Sequence, residues 1–224
     1  MAPTSRYIGV RMASPEVLAL VDHLVYGTAD LDRGISEVER VLGVRASLGG
    51  QHPIWGTRNA LVALGPNSYL EIIAPNPDHS PPSEGRPFRL EALNSSRLVG
   101  WAAKGSGLTN FRDAAAQRGV ELGRVLSGSR KQANGTVLTW QLTDLRCVIA
   151  DGIVPFFIDW GKSPHPALVA SGGATLVNLR AEHPDADRVL RMLGVIAVDL
   201  KVGVGAAPAL IAEIDCPNGR VLLG

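Results

Sequence analysis

Cysteine is scarce here: 2 residues in 224, Cys147 and Cys216. Two cannot make a disulfide framework, and their spacing suggests no zinc knuckle, so a reducing, cytoplasmic setting is the expectation. A dominant charge is missing too. The chain holds 22 Lys and Arg against 21 Asp and Glu, a formal net charge of +1. Its basic residues are dispersed, which argues against a nucleic-acid or membrane partner. Long apolar runs are absent as well. Val17 to Val21 is cut short by Asp22 and His23, and Val195 to Ile214 is interrupted by Asp199, Lys201, Pro208 and Glu213. Neither reads as a signal core or a membrane span. Finally there is no P-loop, no G-x-G-x-x-G behind a strand and no G-x-S-x-G elbow, so no nucleotide cofactor is expected.

What remains is an ordinary folded composition, 46% hydrophobic and 19% charged, long enough for one large domain or several small modules. The organising stretch is Val21-Asp22-His23-Leu24-Val25-Tyr26, an apolar strand interrupted by one acid and one histidine. Gly27-Thr28-Ala29-Asp30 then supplies a turn and an N-cap acid. Leu31, Ile35, Val38 and Leu42 recur at helical spacing, and Gly43 is the stop. The segment from Gly49 to Asn59, rich in Gly and polar residues, reads as a loop. Ala60 to Leu64 and Ser68 to Ile73 read as strands joined by a turn at Gly65-Pro66-Asn67.

A second unit repeats this order. It has a strand near Leu98 to Ala103, a helix from about Leu108 to Arg118, and strands near Gly135 to Thr143 and Ile153 to Trp160, with Asn134-Gly135 as a turn signal. A third runs from Ala174 through a helix ending at Gly194 to a hairpin turning at Cys216-Pro217-Asn218-Gly219. Arg40-Val41-Leu42-Gly43-Val44 and Arg191-Met192-Leu193-Gly194-Val195 lie 151 residues apart, and so do Pro66-Asn67 and Pro217-Asn218. Agreement of a helix stop and a hairpin turn in one register points to internal repetition. The expected organisation is an extension over 1–19, a first module over 20–75, a linker over 76–94, a second module over 95–166 and a third, degenerate module over 167–224. In that register His23 and Glu71 face Ala174 and Leu222 in the third module. In the second, the position of His23 falls near Val99 to Trp101 and that of Glu71 near Phe156 to Asp159. Only the first module pairs a His on its first strand with a Glu on its last.

Asp22-His23-Leu24-Val25-Tyr26, the run His52 to Asn59, Tyr69 to Pro75, Ile158-Asp159-Trp160-Gly161, Pro164-His165-Pro166 and Glu182-His183-Pro184 together resemble the glyoxalase-like domain family of the vicinal oxygen chelate superfamily. The resemblance spans about residues 20–224. It implies an α+β fold of βαβββ modules, two of them forming a curved-sheet cup around a small oxygenated molecule. It also implies a divalent metal (Mn, Fe, Co, Ni or Zn) held by His23 and Glu71, with metal-assisted lyase, isomerase or dioxygenase-type chemistry.

On that reading Glu71 or Asp159 moves a proton, and Asp159 is a further carboxylate ligand from the second module. Arg58 grips an anionic group, Trp55 stacks on the ligand, and His52 and Asn59 share the same mouth-lining run. Trp101 and Trp160 make an aromatic wall, and His165 is a third ligand or proton carrier. Each has a structural alternative: His23 hydrogen-bonded inside the cup, Arg58 tied to Glu71, the tryptophans and His165 simply packed, and Arg130 at the cup mouth or on the surface. The competing function is a metal-free binding or sequestering protein without catalysis. The third module either packs on the pair within the chain or makes a homodimer contact.

Overall fold

The computed structural model describes residues 15–131 and 137–224; the turn signal at Asn134-Gly135 and residues 1–14 of the extension lie outside them. Pro15–Leu20 forms a short helix, α1, with Val17 buried. The first module is β1 (Val21–Gly27), α2 (Leu31–Leu42), β2 (Ser47–His52), β3 (Thr57–Ala63) and β4 (Tyr69–Pro75). Asp30 caps α2 by accepting from the Arg33 N–H, and Gly43 ends it with φ 68°, a backbone state that glycine adopts without Cβ strain. The second module repeats the order: β5 (Arg97–Lys104), α3 (Leu108–Ala116), β6 (Val125–Lys131), β7 (Val137–Thr143) and β8 (Phe156–Asp159).

The two modules share one sheet of eight strands in the order β2-β3-β4-β1-β5-β8-β7-β6. β1 and β5 run antiparallel at the centre, and each lies parallel to its own module's last strand. The right-handed twist of so long a sheet curls it, giving a concave and a convex face. Along β4, Tyr69, Glu71 and Ile73 face the concave side, whereas Leu70, Ile72 and Ala74 join the convex core.

The third unit has β9 (Thr175–His183), α4 (Ala186–Val195), β10 (Lys201–Val204), β11 (Ala209–Cys216) and β12 (Gly219–Leu223). It repeats the element order but not the strand order. Its separate sheet runs β10-β9-β11-β12, with β10 parallel to β9. It packs within the chain, against the convex side. Leu179, Leu210, Ala212 and Ile214 are continuous with Leu24, Leu70 and Trp101 in one core. Asn218 Nδ2 donates to the carbonyls of Arg40 and Val41 at 3.0 and 3.1 Å, fastening the last hairpin to the end of α2.

One expectation changes. The Gly49–Asn59 loop contains an edge strand: Gln51 and His52 pair with Arg58 and Thr57, while Gly49-Gly50 falls in a register shift of the ladder. The 76–94 segment, expected as a linker or an excursion packing through Phe88 and Leu90, turns back into the concave face, where those two residues pack beside Val99 and Phe156. Among the described residues no helix is long and apolar enough to cross a membrane.

Candidate functional site

Side chains of both modules line an opening on the concave face. Its enclosed space is small, about 40 Å³, enough for a few water molecules, and it continues into an open mouth. β1 contributes His23, β4 contributes Tyr69 and Glu71, β3 contributes Asn59 and β2 contributes His52; Arg130 reaches across from β6. The far wall is apolar, with Trp140 and Leu142 of β7 and Phe156 and Ile158 of β8.

The polar centre is built on a bulge. In the ladder with β5, Val21 pairs with Ala103 and His23 with Ala102, so Asp22 is an extra residue with no opposite number. A bulge re-aims side chains, and here Asp22 turns toward the end of the cup instead of into the convex core. Its Oδ1 accepts from His23 Nδ1 at 2.7 Å; its Oδ2 accepts from His165 Nε2 at 3.2 Å and from Trp160 Nε1 at 3.2 Å. Burial works to raise the Asp22 pKa, but hydrogen bonds from His165 and His23 and the fields of both rings outweigh it. The carboxyl is held well below the usual range.

A carboxylate on Nδ1 fixes the tautomer that leaves the His23 Nε2 lone pair toward the cup. That nitrogen lies 3.7 Å from Glu71 Oε2. The other Glu71 oxygen accepts from Asn59 Nδ2, and Asn59 Oδ1 accepts from the Gly50 N–H at 2.8 Å. Tyr69 stacks on His23 with ring centroids 4.6 Å apart. Burial and the charges of Asp22 and Glu71 push its phenol well above the ordinary value, so it is a neutral O–H. Burial also lowers the His52 pKa and favours its neutral ring, whose Nδ1 meets Thr57 Oγ1 at 3.1 Å.

Of the sequence-predicted set, His23, His52, Trp55, Asn59, Glu71 and Trp160 line this opening. His165 stands behind it on Asp22. Three residues do not come together with them. Trp101 is on the convex face, fully buried, donating from Nε1 to the Ile153 carbonyl at 2.8 Å; it pairs with Leu24, whose side chain also faces away from the cup. Asp159 follows the inward Ile158, so strand alternation turns it outward, where it accepts from the Gly161 N–H at 2.8 Å. Arg58 alternates with the inward Thr57 and Asn59, and neither lines the cup nor pairs with Glu71. Arg130 takes the place the sequence reading gave to Arg58. Asp22, Tyr69 and Trp140 are further residues that reading did not assign; alternation along β4 and β7 marks Tyr69 and Trp140, whereas a bulge leaves no signal in one sequence.

The donor set decides how far a metal fits. His23 Nε2 and Glu71 Oε2 are two donors at suitable separation, and Asp22 behind His23 is the partner that metal-bound imidazoles commonly have. A catalytic metal centre ordinarily has three protein ligands, and among the described residues no three His, Cys, Asp or Glu side chains converge. With Asp159 facing outward, the described residues supply two of the three protein donors that such a centre needs.

A sequence model described as a glyoxalase-like domain matches residues 21–195. A search of curated proteins finds no match to this chain. Among solved structures, a hypothetical protein from Staphylococcus aureus shares the fold, with a TM-score of 0.63 at 15% identity over 90% of this chain and 83% of that one. A methylmalonyl-CoA epimerase from Mycobacterium tuberculosis aligns at a TM-score of 0.42 with 19% identity, over 71% of this chain and 97% of that one. The match spans most of the chain, and with the paired modules described above it establishes that this chain belongs to the glyoxalase-like domain family.

Proposed function

We propose that this protein is an acid–base enzyme of the isomerase or lyase type, which moves a proton at a carbon beside a carbonyl or carboxyl group of a small oxygenated molecule. The observation that carries this reading is the 3.7 Å approach of His23 Nε2 to Glu71 Oε2 on the wall of a secluded cup. That separation exceeds a direct hydrogen bond. A proton donor or a reacting C–H lying against both atoms from the cup side meets two acceptors at once.

In this mechanism both atoms meet the same face of the carbon: one takes the proton from it, and the proton returns from that same side to the carbon or to the adjoining oxygen. Asp22 holds His23 in the accepting tautomer and stabilises the ring when it gains the proton, as a buried carboxylate does for a catalytic imidazole. Asn59 holds Glu71 in place, and Tyr69, stacked on His23 with a neutral phenol, is the candidate donor to a developing oxyanion. No step uses a metal. A cup with mostly apolar walls also suits a second reading, a protein that binds such a molecule without transforming it.

The test is solvent-deuterium exchange followed by proton NMR, with a panel of 2-oxo acids, 2-hydroxy acids and arylacetates. The reading expects incorporation at the carbon beside the carbonyl or carboxyl group for at least one compound, slowed by a hundredfold or more, roughly, in His23→Gln and Glu71→Gln. Binding without exchange across the panel would support the second reading instead.

A further inference from the structure

We infer that Arg130 and Trp140 form a subsite for a flat, apolar carboxylate, which names the ligand class of the same cup and rests on its being a small-molecule site. Arg130 is partly buried on β6, an edge strand. Among the described residues its hydrogen-bond acceptor is the Asn59 amide oxygen, at a long 3.5 Å, and no described carboxylate pairs with it. Its Nε is buried without a partner. A buried guanidinium N–H with no acceptor costs free energy unless a ligand supplies one. The charge is directed at the site: it acts on both His52 and Tyr69.

The subsite is shaped by two glycines on the facing edge strands. A Cβ on Gly50 of β2 would lie 2.4 Å from Arg130 Cδ, and one on Gly128 of β6 would lie 2.4 Å from the Trp140 ring. Only a bare backbone at each place lets the guanidinium stem lie over β2 and the indole lie flat over its cross-strand partner on β6. The result is a fork of N–H donors beside an aromatic face, with Phe156 and Leu142 continuing the apolar wall. Guanidinium matches the two oxygens of a carboxylate. Arg130 touches Asn59, which in turn holds Glu71. A carboxylate seated on Arg130 therefore brings its neighbouring carbons toward the Glu71–His23 pair.

The experiment is titration of the full chain with sodium benzoate and, separately, benzamide, read by tryptophan fluorescence and isothermal calorimetry. Benzamide has the same shape without the charge. Wild type is expected to bind benzoate in the millimolar range and about tenfold more tightly than benzamide. Arg130→Gln should lose that preference, Arg130→Lys should keep part of it, and both should retain the native circular dichroism spectrum. Asn218→Ala, far from the cup, should bind benzoate as wild type does, and because binding is read without any exchange reaction the subsite stands even if the exchange experiment fails. Equal binding of the two probes, a preference that survives in Arg130→Gln, or no saturable benzoate binding would overturn the inference.

Discussion

Asp22 Oδ1 accepts the His23 Nδ1–H at 2.7 Å although the two residues are neighbours on one strand, because a bulge lets both face the cup. Strict alternation would have sent the carboxylate into the apolar convex core. The same carboxylate receives His165 and Trp160 from beyond the end of β8, so it joins the two modules as well as orienting the imidazole.

Replacing Asp22 by Asn leaves three N–H donors competing for one amide oxygen. The expected loss is about 2–3 kcal/mol of unfolding free energy, typical of a buried charged acceptor removed from its donors. The pH dependence has a definite sign. The folded-state pKa of Asp22 lies below its unfolded value, near 4. Its ionisation thus stabilises the fold fully above about pH 4 and progressively less as pH falls. Denaturant titrations between pH 3 and 7 should show the gap between wild type and Asp22→Asn narrowing at the acid end; a constant gap would contradict it.

His52 carries the opposite chemistry in the same pH direction. Burial favours its neutral ring, so protonation works against folding. Its contribution is complete above the unfolded value of about 6.5 and declines below it. Thermal melts of wild type should fall from pH 7.5 to pH 5 more steeply than those of His52→Gln. Parallel slopes would count against the assignment.

Trp101 is a test of the convex core. Phenylalanine there removes the indole N–H from the Ile153 carbonyl and leaves a small void. About 2 kcal/mol of stability should be lost, with benzoate affinity unchanged because the residue does not face the cup. A drop in affinity without a drop in stability would place it wrongly.

Asn218 ties the third unit to the first. Its amide donates to two carbonyls at the exposed end of α2, so Asn218→Ala should cost about 1 kcal/mol in chemical denaturation. No measurable change would mean that the apolar interface alone holds the unit in place.

Much of the fold was legible because its central strands and helices carry strong apolar patterns: Val21 to Tyr26, Tyr69 to Pro75 and the stripe Leu31, Ile35, Val38 and Leu42. The second strand of every unit was not. Ser47–His52, Val125–Lys131 and Lys201–Val204 each contain glycine and few apolar residues, as sheet-edge strands do, so nothing in them marks a buried face. His23 and Glu71 share the cup from the strands on which they were read, whereas Asn59, read in a loop, reaches it from β3. Trp101 and Asp159 were misplaced because the face of a residue depends on register, and a single-residue bulge or a one-residue shift in phase reverses it. Asp22 looked like a polar interruption for the same reason. The strand order of the third unit, set by which edge receives β10, has no signature in its element order.

The central claim is that His23 presents a basic Nε2 to the cup because Asp22 holds the proton on Nδ1. Two-dimensional nitrogen-15 NMR of the histidine rings, with His23 assigned by comparison with His23→Gln, tests it most directly. The predicted result is the Nδ1–H tautomer for His23 in wild type, with loss of that bias in Asp22→Asn. A proton resident on Nε2 in wild type, or a tautomer unaffected by Asp22→Asn, would contradict the account.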